Sequence, residues 1–153
     1  MEMIGEQIIA LPQQQVWDAL NDPAILKQCI PGCEAVEKLS TDEYAMSMVA
    51  AIGPVKARFS GKLTLTDVTA PNTYTMNFEG AGGVAGFGKG SCMVRLSAEP
   101  EGTKLSYNAK ASVGGKIAQI GSRLISGAAK KIADQFFVKF NAVLVPGESK
   151  AAS

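Results

Sequence analysis

The sequence predicts an α+β domain in which an antiparallel β-sheet packs against a long C-terminal α-helix. Between residues 34 and 113, apolar and polar side chains alternate over consecutive segments, as in strands with one buried face and one solvated face. After Gly114-Gly115 the apolar residues recur at the helical period. Turn residues separate the strands at Gly53-Pro54, Ala70-Pro71-Asn72 and Pro100-Glu101-Gly102. The long helix is the only predicted element that could cover the apolar face of this sheet.

The N-terminal segment predicts a strand followed by two short helices. Residues 2–10 are assigned to the strand. Pro12 begins a helix over residues 12–20, because proline at the first helical position lacks only an N–H that would be unpaired anyway. Asp22-Pro23 repeats this arrangement with an aspartate N-cap, and it predicts a second helix that ends near Pro31-Gly32.

About six antiparallel strands are predicted next, the first starting at residue 34. The clearest alternation covers residues 44–50, 55–65, 74–78, 91–98 and 103–113. The glycine-rich stretch Gly80–Gly90 is interpreted as a long turn between two of these strands. Side chains that share the apolar face of each segment are expected to point toward the helix.

The long helix is expected to run for about eight turns and to end before Pro146-Gly147. Its apolar stripe consists of Ile117, Gly121, Leu124, Ala128, Ile132, Phe136, Phe140 and Val143. We therefore expect a single domain over residues 1–145 and a polar, disordered tail over residues 146–153.

Composition excludes several classes of chemistry. The 153 residues include no histidine, which rules out a Ser-His or Cys-His nucleophile pair, a histidine base and histidine-containing zinc sites. The net charge of +1 gives no field that would attract nucleic acid. Cys29, Cys33 and Cys92 lack the spacing of a zinc site or a disulfide framework, so we expect no bound metal and a reducing compartment. The N-terminus has no signal-peptide pattern, which predicts a cytoplasmic protein.

The segment Gly83–Gly90 approaches a phosphate-binding loop without matching one. Gly90 stands where that motif needs Ser or Thr, and the residues that follow alternate like a strand instead of opening a helix. We therefore expect no nucleotide binding. The loop is either a flexible rim beside a binding cavity or a plain hairpin turn.

The apolar face is unusually rich in small and flexible residues, including Ala50, Gly61 and Ala109. Small residues either let the helix and sheet approach closely or leave an apolar cavity that a ligand fills, and both interpretations stay open here. Trp17 is either a core anchor or part of that cavity. The candidate ligand-binding residues are Trp17, Met46, Met48, Phe59, Met76, Phe78, Phe87, Leu105, Tyr107, Gly121, Leu124, Ala128 and Ile132.

Charge is divided unevenly along the chain. Residues 1–55 contain eight acids and two bases, whereas the remainder contains thirteen bases and six acids. Such asymmetry is either an accident of topology or a polarised surface for a partner or an anionic membrane. The candidate docking residues lie on the C-terminal helix: Lys116, Arg123, Lys130 and Lys131.

Several stretches strongly resemble the CoxG-like family of carbon monoxide dehydrogenase accessory proteins, which belongs to the START-like (SRPBCC) helix-grip superfamily. They are PQQQVWDALNDPAILKQCIPGCEAVE, GAGGVAGFGKG, GTKLSY and GGKIAQIGSRLISGAAKKIADQFF. The resemblance implies a curved sheet that grips the C-terminal helix around an apolar cavity. It also implies a non-catalytic accessory of a molybdenum hydroxylase, which binds a quinone in the cavity and helps recruit the enzyme to the inner face of the cell membrane. No tightly bound cofactor is expected.

Two other functions remain open. START-like folds include enzymes, and an enzyme built on this sequence would have to use Tyr44, Tyr74, Tyr107 or an inward carboxylate. The alternation places tyrosines inside the sheet but no Asp or Glu, which favours binding over catalysis. The third possibility is an assembly factor with a closed core and no ligand.

Overall fold

A computed structural model describes residues 1–145, and the predicted tail at 146–153 lies outside the described residues. One antiparallel sheet contains seven strands in the order β1-β7-β6-β5-β4-β3-β2. The strands are β1 (Glu2–Ile9), β2 (Cys33–Ser40), β3 (Glu43–Ile52), β4 (Val55–Thr69), β5 (Thr73–Ala81), β6 (Phe87–Glu99) and β7 (Gly102–Gly114). The predicted fold class is confirmed, with the strand count after the two short helices as expected.

Three α-helices accompany the sheet: α1 (Gln13–Leu20), α2 (Pro23–Cys29) and α3 (Ser122–Leu144). The predicted N-cap of α2 is present, since the Asp22 carboxylate accepts a 2.9 Å hydrogen bond from the backbone N–H of Ala24. The Gln13 side-chain amide donates to the backbone oxygens of Pro71 and Leu96 and so ties α1 to the β4–β5 turn and to β6. The two short helices therefore close one end of the sheet.

Helix α3 begins later than the sequence predicts. Gly115–Ile120 form a 3-10 helix whose Ile117 side chain is buried, and Gly121 then separates it from α3. Gly121 has a φ of +98°, a left-handed conformation that interrupts a right-handed helix and that glycine adopts at little cost. The predicted helix of about eight turns is therefore wrong at its start, and α3 has 23 residues.

The turn within the glycine-rich stretch is also shorter than the sequence predicts. Strand β5 continues to Ala81 and β6 starts at Phe87, so only residues 82–86 connect them, and they contain a short 3-10 turn. Gly90 lies within β6, where a Cβ atom would collide with the Lys110 carbonyl oxygen of β7. Glycine here permits a close approach between neighbouring strands.

Helix α3 packs mainly against α2 and against strands β1 and β3, which lie at or beside the two edges of the sheet. Phe137 and Phe140, in its C-terminal half, are its buried side chains. They join the main core between the short helices and the sheet, which also contains Ile9, Val16 and Leu105. The helix thus bridges the curved sheet and stands away from its middle strands.

Candidate functional site

A cavity of about 500 Å³ lies between α3 and the concave face of the sheet. This volume falls within the range of small-molecule sites, about 300–1,000 Å³. Every strand except β2 contributes to the wall, because the curved sheet turns the apolar side of each one inward. The sheet side includes Met46, Met48, Phe59, Leu63, Met76, Phe78, Leu105, Tyr107 and Val113.

The helix side of the wall is formed by Ala129, Ile132, Ala133, Phe136 and Phe137. The Tyr107 ring of β7 stacks on the Phe137 ring, with 5.7 Å between centroids and 20° between planes. This aromatic contact holds the C-terminal half of α3 against the sheet. Ala133 and Ala129 lie one and two turns earlier on the helix, and their side chains are too short to reach the sheet. The space between the helix and the sheet therefore stays open there.

The structure brings most of the sequence-predicted ligand residues to one wall. Those on the cavity wall are Met46, Met48, Phe59, Met76, Phe78, Leu105, Tyr107 and Ile132. Trp17 is instead buried in the main core, where its indole meets the Tyr74 ring edge-on at a centroid distance of 5.3 Å. Phe87 is half exposed at the start of β6.

The predicted stripe on α3 is wrong in its N-terminal half. Gly121 and Leu124 are exposed, and Ala128 is not part of the wall. Because an α-helix turns about 100° per residue, Leu124 lies roughly 160° and Ala128 roughly 120° around the axis from Phe140. Ala129 lies only about 20° from Phe140 by the same arithmetic. Between Leu124 and Phe140 the predicted stripe uses a constant spacing of four residues, and each such step moves about 40° further around the axis, away from the buried face.

Sequence reasoning missed Ala129, Ala133 and Phe137 as wall residues. The two alanines could have been identified from their angular positions around the helix axis relative to Phe140. Both lie on the same side of the helix as Ile132 and Phe136. Phe137 requires the tertiary structure, since its contact is made across the sheet to Tyr107.

The buried titratable side chains of the wall are neutral near pH 7. Burial raises the pKa of Cys92 to about 11, and it also raises the pKa of Tyr44, Tyr74 and Tyr107 above their usual range. The Tyr44 hydroxyl is satisfied by a 2.9 Å hydrogen bond to the backbone oxygen of Asn21. The charged residues that border the cavity, Lys62 and Glu79, are exposed, so the buried part of the wall offers apolar surface and neutral groups.

Among residues 1–145, no group of three or more His, Cys, Asp or Glu side chains is arranged to hold a metal ion. In the same residues, no helix has both the length and the apolar character needed to cross a bilayer. The predicted docking residues Lys116, Arg123, Lys130 and Lys131 are all exposed, although Lys130 is paired with Asp134 at 2.9 Å.

A family model described as CoxG, a subunit of carbon monoxide dehydrogenase, matches residues 5–145. The chain belongs to the CoxG family. The resemblance identified from the sequence is thereby confirmed. As a CoxG protein, the chain is assigned to a family of accessory proteins of carbon monoxide dehydrogenase.

Solved structures share the CoxG fold along nearly the whole chain. A conserved protein from Geobacillus kaustophilus is 32% identical, with a TM-score of 0.88 over 95% of this chain and 96% of its own. A Mycobacterium smegmatis protein is 14% identical, with a TM-score of 0.72 over 95% of this chain and 92% of its own. A Thermus thermophilus protein is 15% identical, with a TM-score of 0.70 over 96% of this chain and 99% of its own. No curated protein sequence gives a significant match.

Proposed function

We propose that this CoxG-family protein is a non-catalytic accessory of a molybdenum hydroxylase that holds an apolar ligand, such as a quinone, between α3 and the sheet. In this role it couples the enzyme to the membrane, or recruits it there, by carrying the ligand between the two. The cavity of about 500 Å³ is the observation that carries the proposal, because a closed assembly factor would fill this space with side chains.

The character of the wall supports an aromatic head group with an apolar tail. Met46, Met48 and Met76 are flexible and polarizable, so they adapt to a ring or an isoprenoid chain. Phe59 and Phe78 offer aromatic surface for a ring. The Tyr107 phenol is available to donate a hydrogen bond to a carbonyl oxygen, whereas the Tyr44 phenol already donates its proton to Asn21.

The same wall argues against an enzyme of the START-like type. General acid–base catalysis works best with a group whose pKa lies near the working pH. The Cys92 thiol, with a pKa of about 11, and the three tyrosines, whose pKa values are raised by burial, all lie far above it. An apolar carrier needs no such group.

The substitution Ala133→Phe tests the proposal, because Ala133 lies on the helix side of the wall. A phenyl ring at position 133 would occupy the cavity, so we expect loss of binding of a fluorescent quinone analogue with little or no fall in melting temperature. The wild type should bind the analogue in detergent solution and melt several degrees higher when saturated. The matched control is Ala142→Phe, which adds the same ring at an exposed position of α3.

A wild-type protein that binds no quinone analogue, together with a large fall in melting temperature for Ala133→Phe, would contradict the proposal. That result would mean that the helix and sheet close upon each other, as expected of an assembly factor. Mass spectrometry of lipids that copurify with the wild type under native conditions would identify the ligand.

A further inference from the structure

The end of the sheet where α3 begins exposes apolar side chains on two separate segments. Val84, in the turn between β5 and β6, is 93% exposed; Phe87 is 51% exposed and Leu124, at the start of α3, is 50% exposed. A small buried core lies beneath them and is made of Val55, Ala85 and Ile117. This core holds the segments together, so the three side chains project from one supported end of the molecule.

The same end is basic. Its turns and the residues that adjoin them comprise residues 49–57, 81–88 and 114–125. These residues include no acid and three exposed bases, Lys56, Lys116 and Arg123. Two strands also begin near this end and add one acid each: Glu34 of β2 is paired with Arg58 at 2.6 Å, and Glu2 of β1 lies opposite Lys110.

The opposite end of the sheet is acidic. Its loops, helix α1 and the start of α2 comprise residues 10–24, 40–43, 67–73 and 99–102. They contain no base and seven acids, Asp18, Asp22, Asp42, Glu43, Asp67, Glu99 and Glu101. The molecule is therefore electrically polarised along its strands, and a negatively charged surface would orient it with the start of α3 foremost.

The cavity extends toward this basic end. Ile52, Phe59, Val113 and Ile117 form its wall there. The adjoining half of α3 has no buried side chain, since the buried residues of this helix are Phe137 and Phe140. By contrast, Phe137 and Phe140 and the short helices close the other end of the cavity.

We infer that this end, the basic apolar tip (Val84, Phe87, Leu124, Lys56, Lys116 and Arg123), docks onto an anionic lipid bilayer and directs the cavity toward the acyl chains. Isolated side chains that project from the β5–β6 connection and from the start of α3 suit a fluid lipid surface, whereas a protein partner requires a continuous surface of matching shape. The bases add electrostatic attraction to anionic head groups. The inference rests on the proposed function, because it states how an apolar ligand passes between the bilayer and the cavity.

Sedimentation with vesicles of equimolar phosphatidylcholine and phosphatidylglycerol tests the inference. Each base that is lost should weaken binding about fivefold, so the double reversal Lys116→Glu/Arg123→Glu should abolish it. Val84→Asp should weaken binding by tenfold or more without affecting folding, because the side chain contacts little else. Binding of the wild type should fall as salt rises and should be weak on pure phosphatidylcholine.

Matched controls place the same changes elsewhere on α3. Lys130→Glu/Lys131→Glu reverses two charges about 12 Å along the helix from Arg123, and Val138→Asp alters an apolar side chain that is 73% exposed. Both controls should keep vesicle binding. Equal loss in the controls and the tip variants, or no effect of the tip variants, would overturn the inference.

Two further results separate this inference from its alternatives. If the tip variants bind vesicles normally but no longer bind the purified hydroxylase, the tip is a protein interface and the inference is wrong. All tip variants should still bind the quinone analogue in detergent. If the wild type binds vesicles but no analogue in detergent, the proposed ligand function fails while the docking surface stands.

Discussion

Individual small residues decide where the sheet and helix of this protein touch and where they stay apart. Ala129 and Ala133 leave space on the helix side of the cavity. On the sheet side, Gly61 of β4 lies directly opposite Gly80 of β5. A Cβ atom on Gly61 would collide with the carbonyl oxygen of Glu79. Strands β4 and β5 therefore approach each other more closely here than they could with a larger residue at position 61.

The substitution Gly61→Ala should lower the free energy of unfolding by ~1–3 kcal/mol, because the added methyl group meets backbone that cannot move aside. The cross-strand partner supplies the control. On Gly80, the nearest atom to an added Cβ is the Ser60 oxygen at 3.6 Å, so Gly80→Ala should change stability by less than about 1 kcal/mol. Urea denaturation of both variants measures the difference. Equal changes in the free energy of unfolding would show that the close approach of β4 and β5 at Gly61 is absent.

At the scale of elements, α3 is attached firmly at one end only. Its buried side chains are Phe137 and Phe140, whereas residues 121–124 are exposed. Regions with few buried contacts open locally at lower free energy than the rest of a domain. The loose half of α3 adjoins the cavity, which is where a carrier of apolar molecules needs to open.

Two glycine substitutions should affect α3 in opposite directions. Gly127→Ala should stabilise the protein by ~0.5–1 kcal/mol, because Gly127 lies inside the helix with open space around it. Gly121→Ala should destabilise it by about 1 kcal/mol or more, because its φ of +98° strains a residue with a Cβ atom. Urea denaturation measures both, and slower amide exchange over residues 122–130 in Gly127→Ala would locate the effect. Stabilisation by Gly121→Ala would contradict the observed start of the helix.

The sequence has no histidine, the side chain whose ordinary pKa lies near neutrality. Burial raises the pKa of all three cysteine thiols and all three tyrosine hydroxyls. These groups are protonated in both the folded and the unfolded chain at pH 6 to 7, and mostly so at pH 8. Their protonation therefore contributes little change in stability across that range.

Stability should remain nearly flat from pH 6 to 8 and then fall above pH 9. Between pH 9 and about 11 the unfolded chain has lost the Cys92 proton while the folded chain keeps it, so deprotonation favours unfolding. The slope from this group is on the order of 1 kcal/mol per pH unit. Cys92→Ser, which does not titrate in this range, should make the decline shallower, as measured by urea denaturation at each pH. An unchanged slope would exclude Cys92 as its source.

The arrangement of charge also emerges only at this scale. Along the chain, the acids are concentrated in the first 55 residues. In the folded sheet, acids from four distant segments, including Asp67 and Glu101, gather at one end with Asp18 and Asp42, because antiparallel strands turn at alternate ends. The separation into an acidic end and a basic end thus depends on topology more than on position in the sequence.

Local patterns were sufficient to predict the class of fold and most of the sheet wall. Met46, Met48, Met76 and Phe78 could be placed inward from the sequence, because side chains alternate strictly along a strand and only one face was apolar. The N-cap at Asp22 could also be predicted from the sequence, because capping involves neighbouring residues only. The family could also be recognised from motifs spread over the whole matched region.

The helix side of the site was decided by the tertiary structure. A stripe of apolar residues on α3 is compatible with several rotations about its axis, and the contact of Phe137 with Tyr107 selects the one that brings Ala129 and Ala133 to the wall. The sequence likewise left open whether the small residues indicate close packing or a cavity. The answer depends on the distance at which the curved sheet holds the helix from its middle strands. The sequence determined which residues could face each other, while the cavity itself depends on distances between elements that no local pattern encodes.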